Sequence, residues 1–203
     1  MRIIAGSAKG KTLLSPSDTR VRPTSDRARE GLFSFLESTF GRLGSVGSLE
    51  GLRFLDLFAG SGAVGVEALS RGAKVVCAVE ANGEVGNLAL TNFALVKSPT
   101  GKSRLFHTEV EKYLESENAL LSDGQKFDII FMDPPYGYTN DQVEKLLEVI
   151  VRRELLDPRG IIAIERESKG APFSWPAQLE LEKVRSYGQG SIFYGGYSAS
   201  VLP

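Results

Sequence analysis

The chain has 203 residues, 42% hydrophobic and 24% charged, with a net charge of −1, enough for one well-buried domain with some decoration and too few for two of full size. No apolar run approaches the roughly 18 residues of a membrane span, and the N-terminus lacks the apolar core of a signal peptide, so a cytoplasmic location is expected. Cys77 and His107 are the sole cysteine and histidine, which excludes an internal disulfide and leaves no ligand cluster to suggest a metal.

Charge is concentrated at the start. Residues 1–30 carry Arg2, Lys9, Lys11, Arg20, Arg22, Arg27 and Arg29 against Asp18, Asp26 and Glu30, a balance of +4 that leaves −5 elsewhere. This arm is either a phosphate-contacting surface or a solvated terminus. Within it, short segments at 2–5 and 11–14 flank a Gly/Ser/Lys turn and suggest a small hairpin. Thr24 or Ser25 can cap a helix over 26–40, in which Ala28, Leu32, Phe35 and Leu36 share a face. Residues 41–51, with four glycines and two serines, form a loop or hinge, which places a boundary between an extension at 1–45 and a main domain at 46–203.

From Leu52 apolar strands alternate with amphipathic stretches. Strands are expected at 53–58, 74–80, 104–107, 127–133 and 160–165, with helices at 62–71, 82–96, 110–121 and 140–154. Asn82-Gly83 weakens the start of the second of these helices. Segments 179–187 and 191–197 around Gly188-Gln189-Gly190 suggest a terminal hairpin. Such alternation implies a doubly wound α/β fold, a parallel sheet with helices on both faces. Cys77, inside an apolar strand, is expected to be a packed and inert thiol.

In an open sheet of this kind, ligands bind beyond the C-terminal strand ends. Gly60-Ser61-Gly62-Ala63-Val64-Gly65 matches G-x-G-x-x-G after the first strand of the alternating region, and Glu80, twenty residues after Gly60, ends the next. The glycines permit close backbone approach, and Glu80 can accept both hydroxyl hydrogens of a ribose. Asp56 precedes the same turn, where it would repel a pyrophosphate and suit a cationic cofactor, or would simply cap a helix. Glu109 can accept from an adenine amino group with Val110 beside the ring, or be a solvated loop acid.

Asp133-Pro134-Pro135-Tyr136 is the most informative stretch. The Asp133 carboxylate and the Pro134 carbonyl can each accept one hydrogen of a planar exocyclic amine, the prolines stiffen the turn, and Tyr136 offers a stacking face. A strand ending in a turn is the plainer alternative. Two acceptors drawing an amine's hydrogens out of plane would localise its lone pair for attack on a methyl carbon.

With 55–65, Glu80 and Asp133-Pro134-Pro135-Tyr136 assembled, the chain resembles class I S-adenosylmethionine-dependent methyltransferases of the amino-group type. More narrowly it resembles the RsmD family, which methylates N2 of a guanine in bacterial 16S ribosomal RNA. The resemblance begins at Arg2-Ile3-Ile4-Ala5-Gly6 and Lys9-Gly10-Lys11, and is most specific at Arg22-Pro23-Thr24-Ser25-Asp26-Arg27-Ala28-Arg29-Glu30. It implies a Rossmann-like, mostly parallel seven-stranded sheet with an antiparallel last strand and an RNA-contacting hairpin-plus-helix extension. It implies S-adenosylmethionine as cofactor, held by Asp56, Phe58, Ala59, Gly60, Ser61, Gly62, Glu80, Ala81, Glu109, Val110 and Asp133. Catalysis would fall to Asp133, Pro134, Pro135 and Tyr136. RNA, naked or in an assembling small subunit, would meet Lys9, Lys11, Arg20, Arg22, Thr24, Arg27, Arg29 and Tyr136. The family more often has aspartate or asparagine where Glu109 stands.

The alternatives are adenine-N6 methylation of DNA, methylation of a protein glutamine, a nicotinamide-dependent oxidoreductase and a non-catalytic RNA-binding assembly factor. The oxidoreductase leaves Asp56 and the Asp133 tetrapeptide unexplained. Outside these motifs, Phe173-Ser174-Trp175-Pro176 is either a covering loop or a packed anchor, and Arg166 and Lys169 are either phosphate contacts or a solvated edge.

Overall fold

The computed structural model describes residues 1–16, 25–41, 48–98, 100–121, 124–170 and 172–200. Its elements are α1 (Asp26–Phe40), β1 (Arg53–Leu57), α2 (Ala63–Ser70), β2 (Val75–Val79), α3 (Gly83–Phe93), β3 (Lys102–Phe106) and α4 (Val110–Glu115), followed by β4 (Phe127–Met132), α5 (Asn140–Arg152), β5 (Leu156–Glu167), β6 (Leu179–Tyr187) and β7 (Gly190–Tyr197). They build a seven-stranded sheet in the order β3-β2-β1-β4-β5-β7-β6. The first five strands run parallel, while β7 lies antiparallel between β5 and β6.

Period-2 alternation divides the interior into two cores. Phe54, Val76, Ala78, Ile129, Phe131, Ile161 and Ala163 pack with apolar residues of α1, α2 and α3. Their chain neighbours Leu55, Cys77, Val79, Ile130, Met132, Ile162 and Ile164 pack with α4 and α5 on the other face. Each aliphatic side chain so buried contributes about 1.5–3 kcal/mol, which is why the central strands are almost wholly apolar. Cys77 is buried, and burial pushes its thiol up to about 11, so it is inert at neutral pH. Among the described residues, no helix is long and apolar enough to cross a membrane.

The N-terminal arm packs on α2, every residue of which is buried. Ile3, Ala8 and Leu13 join the first core. The Ile4 and Ala5 N–H groups donate to the two Glu67 oxygens at 2.8 and 2.9 Å, and the Ala8 N–H donates to Ser70 Oγ at 3.0 Å. Gly6 has φ +81°, and a Cβ there would sit 1.9 Å from the Ser70 carbonyl oxygen, so no other residue fits that crossing. The expected hairpin forms about the bridge Arg2 to Thr12, with Ile3 N–H donating to Lys11 O at 2.9 Å, Gly10 N–H to Ile3 O at 2.9 Å and Leu13 N–H to Met1 O at 3.0 Å. The arm divides its backbone hydrogen bonding between this hairpin and α2.

Three boundaries and one cap differ from expectation for local reasons. Helix α4 ends at Glu115 because Ser116 turns extended and its hydroxyl donates to Tyr113 O, after which a 3₁₀ turn spans Glu117–Ala119. Strand β5 begins at Leu156 rather than 160, since Leu156 pairs with Phe127 before the register jumps to Ile129 and Ile161. Strand β3 begins at Lys102, paired with Val75. Asn82 strengthens the start of α3 rather than weakening it, because its side chain accepts from the Glu84 and Val85 N–H groups.

Candidate active site

The C-terminal ends of β1, β2, β4 and β5 open onto one cavity of about 880 Å³. The turn after β1 shapes one wall. Phe58 leaves the strand at φ +64°, a conformation costing about 1–3 kcal/mol for a non-glycine residue, and Gly60 and Gly62 follow at +55° and +77°. The Ala59 N–H donates to Val79 O at 2.9 Å, and the Gly60 N–H donates to Glu80 Oε2 at 2.8 Å. Glu80 Oε1 accepts from the Asn82 N–H at 2.8 Å. The carboxylate expected to hold a ribose therefore also ties two loops together. It keeps capacity for a ligand, because a carboxylate offers about four acceptor positions.

Asp56 is buried beneath this turn, and its Oδ2 accepts from the Gly65 N–H at 2.9 Å. It thus caps α2, whose N-cap residue, Gly62, has no side chain to do so. Asp56 also lines the cavity, so its capping bond does not take it out of the cavity wall. Burial, with Asp133 and Glu80 adding like charge, raises its carboxyl from the ordinary 3.8 to about 8.

Of the positions expected to hold the cofactor, Asp56, Phe58 to Ser61, Glu80, Ala81, Glu109, Val110 and Asp133 all line the cavity, while Gly62 lies behind it and sets the turn. Asp133, Pro134, Pro135 and Tyr136 line it as well, Pro134 buried and Tyr136 67% exposed. The lining includes the carboxyl groups of Asp56, Glu80, Glu109, Glu111, Asp133, Glu165 and Glu167, and among the described residues Arg166 is its one basic member. Arg166 donates to Tyr138 O at 2.8 Å and to Asn140 Oδ1 at 3.2 Å, so it holds the loop after Pro135 rather than standing out to meet a phosphate. So acidic a chamber repels a pyrophosphate and suits a sulfonium and an ammonium. The residues present therefore fit S-adenosylmethionine.

The arm's basic residues are placed unequally. Lys9, Lys11 and Arg27 are exposed, with Lys11 Nζ donating to Leu95 O at 2.7 Å. Arg20, Arg22 and Thr24 lie outside the described residues. Arg29 is not a surface cation: it is fully buried, with Nη2 donating to Arg2 O at 2.6 Å and to Asp26 Oδ1 at 2.9 Å. It fastens the arm to α1, and burial lowers its pKa. Ser25, not Thr24, supplies the described N-cap of α1, its side chain accepting from the Ala28 N–H.

Several site residues carried no legible motif. Buried Asn92 donates to Ser61 O and Leu14 O, both at 2.9 Å, linking the glycine loop to the arm. Tyr138 packs edge-on to Phe58 with centroids 5.1 Å apart, and its hydroxyl donates to Glu111 at 2.6 Å. Tyr187, Gln189 and Gly190 bring the C-terminal hairpin to the cavity, beside Glu165 of β5. The stretch 173–176 is a packed anchor, since Phe173 is buried against Trp175 and Phe193.

The family described as Conserved hypothetical protein 95, the RsmD family, matches residues 1–195. The chain belongs to this family. It is 30% identical over 189 residues to Ribosomal RNA small subunit methyltransferase D of Escherichia coli strain K12, covering 93% of this chain and 86% of that protein. The solved structure of yhhF from Escherichia coli superposes with a TM-score of 0.78 at 27% identity, covering 98% of each chain. SMU.776, solved in complex with SAH, shares the fold at a TM-score of 0.65 and 16% identity, covering 87% of this chain and 50% of that one. The seven-stranded sheet with β7 antiparallel is thus the architecture of this RsmD-family member.

Proposed function

We propose that this RsmD-family chain transfers the methyl group of S-adenosylmethionine to the exocyclic N2 of a guanine in 16S ribosomal RNA, naked or in an assembling small subunit. The name of its 30%-identical Escherichia coli relative supports methylation of small-subunit ribosomal RNA. One observation carries the rest of the reading. Asp133 and Pro134, acceptors suited to an amine, line the same acidic cavity as the glycine turn and Glu80.

S-adenosylmethionine, when bound, supplies an electrophilic methyl carbon on a positively charged sulfur. Glu80 would take the ribose hydroxyls, and Gly60, with nothing within 4 Å of a hypothetical Cβ, keeps backbone open to a ligand. Asp56 would face the positive part of the ligand, Glu109 the adenine amino group, and Val110 the adenine ring.

The amino nitrogen of guanine is a poor nucleophile because its lone pair is delocalised into the ring. Asp133 and the Pro134 carbonyl accept its two hydrogens and localise that pair, and Tyr136 supplies a stacking face. Holding the amine in line with the methyl carbon supplies most of the acceleration. The proton released passes to Asp133 or to water.

Lys9, Lys11 and Arg27, with Arg20 and Arg22 from outside the described residues, would contact RNA phosphates. The test is methyl transfer from labelled cofactor to unmodified 16S RNA, naked and in small-subunit particles, followed by nucleoside analysis. Label in N2-methylguanosine is expected. Label in N6-methyladenosine or in protein would replace the acceptor assignment.

A further inference from the structure

We infer that Glu165 reads the imino N1–H of the target guanine beside Asp133, and so makes the site selective for guanine over purines that carry an amino group alone. This inference rests on the guanine-N2 reading above and names the residue that gives that reading its base specificity.

The placement follows from register. Met132 of β4 pairs with Ile164 of β5, so Asp133 and Glu165 are the next residues on neighbouring parallel strands. Two positions earlier on each strand, Phe131 and Ala163 enter the same core, so alternation directs Asp133 and Glu165 to the same side of the sheet. Both line the cavity. Adjacent strands lie about 4.7–4.9 Å apart, which places two carboxylates side by side across the strand ends. The β6–β7 turn bounds Glu165 on its far side, where Oε1 lies 3.1 Å from the point a Cβ on Gly190 would occupy.

Strand order separates this pair from the cofactor residues. The glycine turn and Glu80 follow β1 and β2, whereas Glu165 lies on β5, beyond β4. Asp133 stands between the two halves, so Glu165 belongs to the acceptor's half of the cavity.

Neighbouring carboxylates repel each other, and an acidic pair at the mouth of a sheet is relieved by a ligand that presents hydrogen-bond donors to both. The Watson–Crick edge of guanine presents N2–H₂ and N1–H on adjacent ring positions. Adenine presents an unprotonated N1 next to its amino group, an acceptor facing an acceptor. With the N2 hydrogens shared by Asp133 and the Pro134 carbonyl, the adjacent N1–H falls to the next strand. A carboxylate has about four acceptor positions, so Glu165 can accept this proton while keeping its contacts within the protein.

The experiment uses 16S RNA in which the methylated position, once mapped, carries either guanosine or 2-aminopurine riboside. The analogue keeps the 2-amino group and lacks the N1 hydrogen. Wild-type protein should methylate guanosine faster than the analogue by at least about tenfold in kcat/KM, because a site built around a donor discriminates against its absence. Equal rates would overturn the inference with no variant involved.

Glu165→Gln keeps an acceptor and adds an amide donor that can meet the unprotonated N1 of the analogue. It should narrow the guanosine preference to less than about threefold, with cofactor affinity unchanged within about twofold to show an intact fold. Glu165→Ala should slow transfer to guanosine by at least about tenfold, with transfer to the analogue no slower than in wild type because an acceptor facing its N1 is removed. A wild-type preference that survives both substitutions would remove Glu165 from base reading and leave the parent assignment standing. Failure of wild-type protein to methylate any guanosine at N2 would instead remove the parent assignment.

Discussion

Asp56 caps α2 through the Gly65 N–H, faces the cavity, and has its carboxyl raised to about 8 by burial. A carboxyl that binds its proton more tightly when folded favours the folded chain while protonated. That advantage is lost as pH rises from the unfolded value near 4 through about 8. Asp56→Asn keeps an oxygen for the Gly65 N–H and cannot ionise. Its thermal midpoint should therefore fall less than wild type's between pH 5 and about 8; parallel curves would show that Asp56 does not titrate there. A cationic cofactor favours the ionised form, so near pH 7 its binding should release a proton from wild-type protein and not from Asp56→Asn. Calorimetry in two buffers of different ionisation enthalpy measures this. Glu80→Ala should weaken cofactor binding by about 1–3 kcal/mol through lost hydrogen bonds, and unchanged affinity in the same calorimeter would place the ribose elsewhere. Asp133, Glu80 and Asp56 were legible because each ends a strand or adjoins a glycine turn. Glu165 was not, since an acid at the end of an apolar strand looks like ordinary solvation until its register beside Asp133 is known.

At the scale of the element, the arm's two segments pair with each other, and side chains of α2 fasten that pair to the core. Glu67 is fully buried and accepts from the Ile4 and Ala5 N–H groups while pairing with Arg71 Nε at 2.8 Å. Glu67→Ala strands three donors, the Ile4 and Ala5 N–H groups and Arg71 Nε, and leaves buried Arg71 paired with Glu37 alone among the described residues. It should cost about 3–5 kcal/mol and expose amides of residues 3–8 to hydrogen exchange before the sheet opens. Exchange of arm and sheet together would show the arm to be part of one cooperative unit. Lys9→Ala with Arg27→Ala, both at exposed positions, should weaken RNA binding and reduce its salt slope by about 2; an unchanged slope would take this face out of the RNA contact. The helix over 26–40 was legible to its ends, because Ser25 caps it and its apolar positions recur at helical spacing. The fate of Arg29 was not, since a basic residue next to Arg27 in sequence gives no sign that α1 turns one inward and the other out. Asn82 misled for a related reason: its low helix propensity in the interior matters less than its strength as a cap.

For the whole molecule, strand order turns separate motifs into one site. The sequence of βα alternation and the terminal hairpin were readable from apolar periodicity, and so was the expectation that function lies at the C-terminal strand ends. Neither periodicity nor motif spacing states which strands are neighbours. The order β3-β2-β1-β4-β5-β7-β6 places the glycine turn and Glu80 on one side of Asp133 and the Glu165 end of β5 on the other. Under the proposed function this order divides the cavity into a cofactor half and an acceptor half, with Asp133 at their meeting.

That division is tested most directly by comparing Asp133→Ala with wild-type protein in two measurements on the same preparation: equilibrium binding of S-adenosylmethionine, and single-turnover methyl transfer to unmodified small-subunit particles. Cofactor affinity within about threefold of wild type, with transfer slowed by at least about a hundredfold, is the predicted result. Transfer at the wild-type rate would contradict the role of Asp133 in holding the amine, and loss of cofactor binding would place Asp133 in the cofactor half.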